Sequence, residues 1–190
     1  EGELDANFFQ HLPYLEEFNK NKNTDLVKTV NVHLEPMGLY SNKIKALSEL
    51  EDGATIAVPN DPTNESRALD ILVKEGLLTF KDVDFKTVVD IIENPKNLKI
   101  KELDAPQLPR VLDEVDAAII NTNYALSANL NPLKDAIIIE SKDSPYANIV
   151  VVKKGNENKD SIKALNEAIN SEEIRTFIKE KYQGSIVEAF

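Results

Sequence analysis

The chain has 190 residues and no cysteine, with 33 acidic residues against 22 basic ones and a net charge of −11. That length suits one or two domains and can bury a real core, while the charge argues against nucleic acid and against an anionic membrane surface as partners. Without cysteine there are no disulfides, thiolate metal sites or cysteine nucleophile; two histidines, His11 and His33, fit a histidine-rich metal cage poorly; and no apolar run reaches the ~18 residues of a membrane-spanning helix.

The first residue is Glu1, not methionine, and "EGELDANFF" reads as a chain running straight into a strand, so the sequence is expected to begin partway into a domain. A strand is predicted at Leu4 to Phe8, and "LPYLEEFNKNK" reads as a helix with a solvated Asn/Lys exit. "VKTVNVHLEPMGLYS" is extended, with Val30, Val32 and Leu34 alternating, and Ser41 to Leu50 reads as a short helix. "ATIAVPND" is a buried strand. A helix follows it: Asp61 caps, Pro62 fits the first helical position, Leu69, Leu72 and Val73 carry the apolar rhythm, and Gly76 stops it. Further on, "VDFKTVVDIIENP" suggests a short helix, "LKIKEL" a strand, and "PQLPRVLDEV" a helix with Leu108, Val111 and Leu112 on one face. "VDAAIINTNYA", "DAIIIES" and "NIVVVKKG" read as strands. Two helices close the chain, one from Asp160 with Ile162, Leu165 and Ile169 inward, the other from Ser171 with Ile174, Phe177 and Ile178 inward. Alternating strands and helices, with compact apolar strands such as "TIAV" and "AAII", make the fold class α/β.

In open α/β sheets ligands sit beyond the carboxyl ends of the strands. Here those ends are "PND" after "TIAV" and "NTN" after "AAII". Asn60, Asn64 and Arg67 follow the first, and Asn121 and Asn123 end the second. Asn64 and Arg67 are three apart and share a helix face. If the two strands are neighbours, these groups face one crevice, where a helix start adds N–H donors and a bidentate arginine suits a carboxylate. Asparagines offer both donors and acceptors, as an α-amino acid needs. Taken singly, each residue has a plainer reading: Arg67 as a surface partner of Glu65, Asp61 or Asp70, Asn64 as an ordinary first-turn residue, Asn121 as a strand-end turn. A second dense stretch is "NFFQHLPYL", where Phe9, His11 and Tyr14 offer an apolar pocket with a polar handle. The plainer reading there is core phenylalanines and a capping histidine.

Catalytic signatures are missing from the sequence. It contains no G-x-S-x-G elbow, H-E-x-x-H or Walker loop, and six glycines leave little for a phosphate cradle. The residues favour binding over catalysis, with no cofactor and no metal expected.

Several stretches together resemble the NlpA lipoprotein family, the methionine-binding substrate-binding proteins of ABC importers: "GELDANFFQHLPYL", "LEPMGLYSNKIKALSEL", "GATIAVPNDPTNESRALDIL", "VDAAIINTNYA" and "SPYANIVVV", in order over essentially the whole chain. The resemblance implies a two-lobed periplasmic-binding-protein fold of type II. Residues 48–127 would form the second lobe, and 1–47 with 128–190 the first. It further implies an extracytoplasmic receptor, not an enzyme, that binds methionine or a relative such as D-methionine, methionine sulfoxide or a methionyl dipeptide in an interlobe cleft and delivers it to a membrane permease. By the same resemblance Phe9, His11 and Tyr14 wall the thioether side chain, Arg67 binds the carboxylate, Asn121 and Asn148 hold the amino and carboxylate ends, and Asn64 is their neighbour. Family members carry a lipobox cysteine and a strand–helix–strand–helix unit upstream of "GELDANFF". The first lobe is therefore expected to lack its N-terminal strands and helices here, and the lipid anchor, the only expected membrane contact, would lie outside this sequence. The alternatives are an α/β enzyme with His11 as its base, a ligand-sensing module on the same fold, and an interaction piece or antigen with no competent site.

Overall fold

The computed structural model describes residues 2–141 and 144–190. In chain order they form β1 (Asn7–His11), α1 (Leu12–Lys22), β2 (Leu26–Leu34), β3 (Gly38–Tyr40), β4 (Thr55–Pro59), α2 (Pro62–Lys74), β5 (Thr79–Phe80), β6 (Ile91–Glu93), β7 (Lys99–Leu103), β8 (Ala117–Ile120), α3 (Thr122–Ser127), α4 (Pro132–Asp135), β9 (Ile138–Ile139), β10 (Asn148–Lys153), α5 (Asp160–Ile169), α6 (Glu172–Tyr182) and β11 (Val187–Glu188). Short 3₁₀ turns lie at Leu47–Glu49, Val88–Asp90 and Ala105–Val111. The fold is α/β and divides into two compact units, Pro36–Glu140 forming one and the residues up to Glu35 and from Ser141 onward the other. The division falls outside the limits 48–127 drawn from the sequence, because β3 and β9 are both strands of the Pro36–Glu140 sheet.

That unit holds a five-stranded sheet in the order β7-β4-β8-β3-β9. β4 runs parallel to β7 and β8, whereas β3 is antiparallel to β8 and β9. Both faces are buried, and the strands show how. Along β4, Ile56 and Val58 point into a core with Met37, Leu39, Leu69, Leu72 and Ile119. Ala57 points the other way, into a core with Tyr40, Leu108, Leu112, Ala118 and Ile120. A strand buried on both sides needs no polar alternation, hence the continuous runs "TIAV" and "AAII". α2 starts as its sequence dictates: Asp61 accepts from Asn64 N at 3.0 Å and Pro62 follows it. It ends at Lys74, with Gly76 at φ +69° just beyond.

The other unit has a four-stranded sheet, β1-β10-β2-β11, with every neighbouring pair antiparallel. Leu15 of α1 packs on Ile149 and Val151 of β10, with Leu12 and Leu26 around them. α5 is tied to β2 by Thr29 Oγ1 donating to Asn166 Oδ1 at 2.9 Å. α6 is tied to β11 by Arg175 Nη1 and Lys179 Nζ, at 3.4 and 3.3 Å from Glu188 Oε1. Among the described residues no helix is long and apolar enough to cross a membrane.

Several predicted elements differ. The first strand is Asn7–His11, not Leu4 to Phe8, because it is defined by pairing with β10. The helix predicted over Ser41 to Leu50 shrinks to Leu47–Glu49, since Ser41 Oγ takes up Lys43 N at 2.9 Å and Ile44 N at 3.0 Å in a local turn that competes with a helix. In "VDFKTVVDIIENP" a Thr87–Asp90 capping box opens only one turn before β6, as befits a β-branched run. "PQLPRVLDEV" is 3₁₀ rather than α because Pro109 lacks the N–H an α-helix interior needs, yet Leu108 and Leu112 are buried as expected. Only Ile138 and Ile139 of "DAIIIES" pair as a strand. In the last two helices Ile162 and Ile178 point inward, but Leu165 and Phe177 are exposed, and Phe177 meets Tyr182 edge-on at 6.3 Å on the outer surface.

Candidate functional site

In the Pro36–Glu140 unit, β4 and β8 are parallel neighbours, with Ile56 opposite Ala117 and Ala57 opposite Ala118. Their carboxyl ends therefore emerge side by side. Asn64 leaves the first turn of α2 and Asn121 caps α3, and the two meet: Asn121 Nδ2 donates to Asn64 Oδ1 at 3.0 Å. Asn64 is in turn held by Asp61, its Nδ2 lying 3.0 and 3.1 Å from the two carboxylate oxygens. The predicted juxtaposition of the two strand ends is thus a direct hydrogen-bonded chain, Asp61–Asn64–Asn121. The other end of the Asn121 amide, Oδ1, is buried and has no hydrogen-bond partner among the described residues. An orphaned acceptor at a strand end is costly unless something donates to it. Asn60 turns away, donating to Asp104 Oδ1 at 2.7 Å, and Asn123 is exposed.

Arg67 is not on the surface and does not pair with Glu65, Asp61 or Asp70. It is buried, and its Nε lies 3.0 and 3.1 Å from the two oxygens of Glu140, while Nη2 donates to Oε2. Glu140 follows β9, where its own N donates to Met37 O at 2.8 Å and its Oε2 accepts from Met37 N at 3.1 Å. Sequence reasoning missed Glu140. The one available signal was an acid closing the apolar run "AIII", where a strand's burial makes an unpaired carboxylate improbable.

A second buried acid sits one residue from Asn64. Burial pushes the carboxyl of Glu65 up to about 7, with the nearby charge of Glu102 acting in the same direction and the Val88 backbone N–H opposing it. Elsewhere in this unit Tyr40 keeps its hydroxyl buried with no hydrogen-bond partner among the described residues, and burial raises its pKa well above the usual phenol range.

The other unit gathers aromatic side chains at the end of β1. His11 is buried and caps α1, its Nδ1 accepting from Tyr14 N at 3.2 Å, so the capping reading of this histidine holds. The ring of Tyr14 meets Phe9 edge-on at 5.5 Å and His11 at 6.2 Å. Tyr146, which sequence reasoning did not single out, meets His11 at 5.0 Å. Phe9 is 59% exposed and Phe8 42%, so neither is a core residue as the plainer reading expected. Asn148 opens β10 opposite both His11 on β1 and His33 on β2. His33 Nε2 lies 2.8 Å from Glu35 Oε1 and 3.4 Å from Asn148 Nδ2, so this ring nitrogen serves the carboxylate first. Among the described residues no group of three or more side chains is placed to hold a metal ion.

The NlpA lipoprotein family model matches residues 1–190. The chain belongs to the NlpA lipoprotein family. Among family relatives, the D-methionine-binding lipoprotein MetQ of Escherichia coli K12 is 45% identical over 193 residues, which cover 100% of this chain and 71% of that protein. A nutrient-binding protein from Burkholderia cenocepacia, solved bound to methionine, is 50% identical with a TM-score of 0.97, over 100% of this chain and 80% of that one. A periplasmic substrate-binding protein of an ABC transporter from Coxiella burnetii is 46% identical with a TM-score of 0.95, over 99% and 80%. At such identities the NlpA relationship covers the fold and every element that carries the residues above.

Proposed function

We propose that this chain is the solute receptor of an ABC importer, binding methionine or a close derivative outside the cytoplasm and handing it to a membrane permease. The observation that carries this reading is the buried Asn121 Oδ1, which has no partner among the described residues and is fixed by Asn64 within one unit that also buries a guanidinium at Arg67. An orphaned acceptor calls for a donor and an arginine for a carboxylate, and an α-amino acid supplies both from one carbon. Arg67 takes the carboxylate, Asn121 and Asn148 hold the amino and carboxylate ends, and Asn64 keeps Asn121 in place. Phe9, His11 and Tyr14 pack on the thioether side chain, joined by Tyr146. Apolar and aromatic contacts recognise a side chain by shape and dispersion, so close analogues differ by only ~1–3 kcal/mol. Relatives named as D-methionine-binding lipoprotein and as a protein bound to methionine support the ligand class. Those names also support attachment to a membrane through lipid, and the Coxiella burnetii relative supports the transporter partner. An enzymatic reading finds no support: the family is one of binding lipoproteins, and the only candidate base, His11, spends Nδ1 on capping α1.

Mass spectrometry of small molecules released by denaturing the purified protein tests this directly. Methionine or a methionyl compound in the released fraction, and saturable heat on titrating it back, are expected. A protein that releases no amino acid and shows no heat with either methionine enantiomer, the sulfoxide or a methionyl dipeptide would overturn the reading.

A further inference from the structure

We propose that Asp61 sets the polarity with which this site meets its ligand: as an acceptor-only group it fixes the direction of the hydrogen-bond chain through Asn64 and Asn121, so that an oxygen faces the ligand and the site selects a donor at the α-position. The inference rests on the methionine-receptor reading and deepens it. Asp61 acts through the two asparagines and is a positioning residue.

An asparagine amide has a donor end and an acceptor end of nearly the same shape, so it can present either. Two amides in series can be turned over together and keep the hydrogen bond between them. A carboxylate at the head of the series ends that freedom, because it offers acceptors only. Asp61 stands at that head. Asn64 Nδ2 lies 3.0 and 3.1 Å from its two oxygens, and turning the amide over would set oxygen against both. Asn64 N at 3.0 Å and Thr63 Oγ1 at 3.1 Å donate to the same carboxylate and hold it in place. Asn64 therefore shows its Oδ1 to Asn121, which answers with Nδ2 at 3.0 Å. The Oδ1 of Asn121 is left at the far end of the chain, buried and with no partner among the described residues. It does not turn back to the backbone either. Asn121 is the N-cap of α3, where a side-chain oxygen ordinarily accepts a backbone N–H of the first turn, yet it makes no such bond. All three residues belong to the Pro36–Glu140 unit, two at the start of α2 and one just after β8. A buried acceptor costs free energy while it goes unmet, so an ammonium at this point matches it and a carbonyl does not.

The test uses two methionine analogues of equal charge, so that hydrogen-bond polarity is read apart from electrostatics. In the α-hydroxy acid a hydroxyl replaces the ammonium and can donate; in the α-keto acid a carbonyl replaces it and can only accept. Displacement of methionine, followed by calorimetry and by ligand-observed NMR, gives the ratio of their dissociation constants. Wild-type protein binds the hydroxy acid about tenfold more tightly, because the keto acid sets one acceptor against another. Asp61→Asn keeps the cap of α2, since asparagine caps as well as aspartate, but lets the whole chain reverse. The two analogues then bind within about threefold of each other. A role for Asp61 confined to capping or to its charge leaves the ratio of two equally charged analogues where it was, and that result overturns the inference. Asp61→Ser, also a good cap and with a hydroxyl that donates or accepts, gives the same fall and decides the matter if Asp61→Asn does not fold. If neither analogue displaces methionine from the wild type, the variant decides: a keto acid that competes in Asp61→Asn supports the inference, and one that still does not overturns it. Wild-type protein that binds methionine but treats the two analogues alike overturns the inference only, whereas protein that binds no methionine overturns the receptor reading and the inference with it.

Discussion

Glu65 offers the sharpest physical test of the Pro36–Glu140 unit. Its side chain is buried near the start of α2, with Oε1 lacking any hydrogen-bond partner among the described residues. Burial first, then the neighbouring Glu102, lifts its pKa from 4.5 to about 7. An acid raised in the folded state binds more protons folded than unfolded, so its contribution is intact at low pH and is lost as pH climbs from the unfolded value through the folded one. The window is therefore about pH 4.5 to 7. At about 1.4 kcal/mol per pH unit the full displacement corresponds to about 3 kcal/mol, and water penetration around the charged form brings the realistic figure to ~2 kcal/mol. Glu65→Gln removes the titration while keeping an oxygen for the Val88 N–H and supplying a donor to Glu102. Urea unfolding followed by circular dichroism at pH 5 and pH 8 reads the outcome. The variant should match the wild type near pH 5 and exceed it by ~2 kcal/mol at pH 8. A difference that is the same at both pH values would refute the argument, because it would mean that Glu65 is not holding a proton that the unfolded chain releases.

Three further outcomes follow from single contacts. Arg67→Ala strands the buried Glu140, so it should cost about 3–5 kcal/mol in stability and, by calorimetry, most of the methionine affinity; unchanged affinity would remove Arg67 from the site. Asp61→Ala deletes the cap of α2 and the anchor of Asn64, and should cost about 1 kcal/mol in thermal unfolding, together with a loss of binding larger than that cost predicts. Tyr40→Phe deletes a buried hydroxyl that has no partner among the described residues and should leave stability unchanged or raise it by about 1 kcal/mol in denaturant titration; a clear loss would mean that the hydroxyl is satisfied.

How much of this was legible in advance depends on how local the cause is. α2 could be read almost residue by residue because its start, Asp61-Pro62, and its stop, Gly76, act within a turn of themselves. The meeting of Asn64 and Asn121 was legible too, given only that β4 and β8 are parallel neighbours, since strand ends in such a sheet open at the same edge. The partner of Arg67 was not. Glu140 is 73 residues away, and what joins the two is the antiparallel addition of β9 beside β3, a pairing that the two residues Ile138 and Ile139 barely announce. Sequence spacing offered Glu65, Asp61 and Asp70 as partners because only neighbours on a helix can be counted from a sequence. The same limit explains Leu165 and Phe177: a 3.6-residue rhythm names a face, but what covers that face is decided by chain that the rhythm does not contain. Residues whose environment is set by their own turn of helix can thus be assigned by reading, and residues whose environment is set by strand order cannot. The consequence falls on function. Arg67 read from its neighbours is a surface ion pair, read from the family it is a carboxylate hook, and read from its contacts it is a cation paired with Glu140. Only the last of these depends on strand order, because it is the pairing of β9 with β3 that brings Glu140 to Arg67.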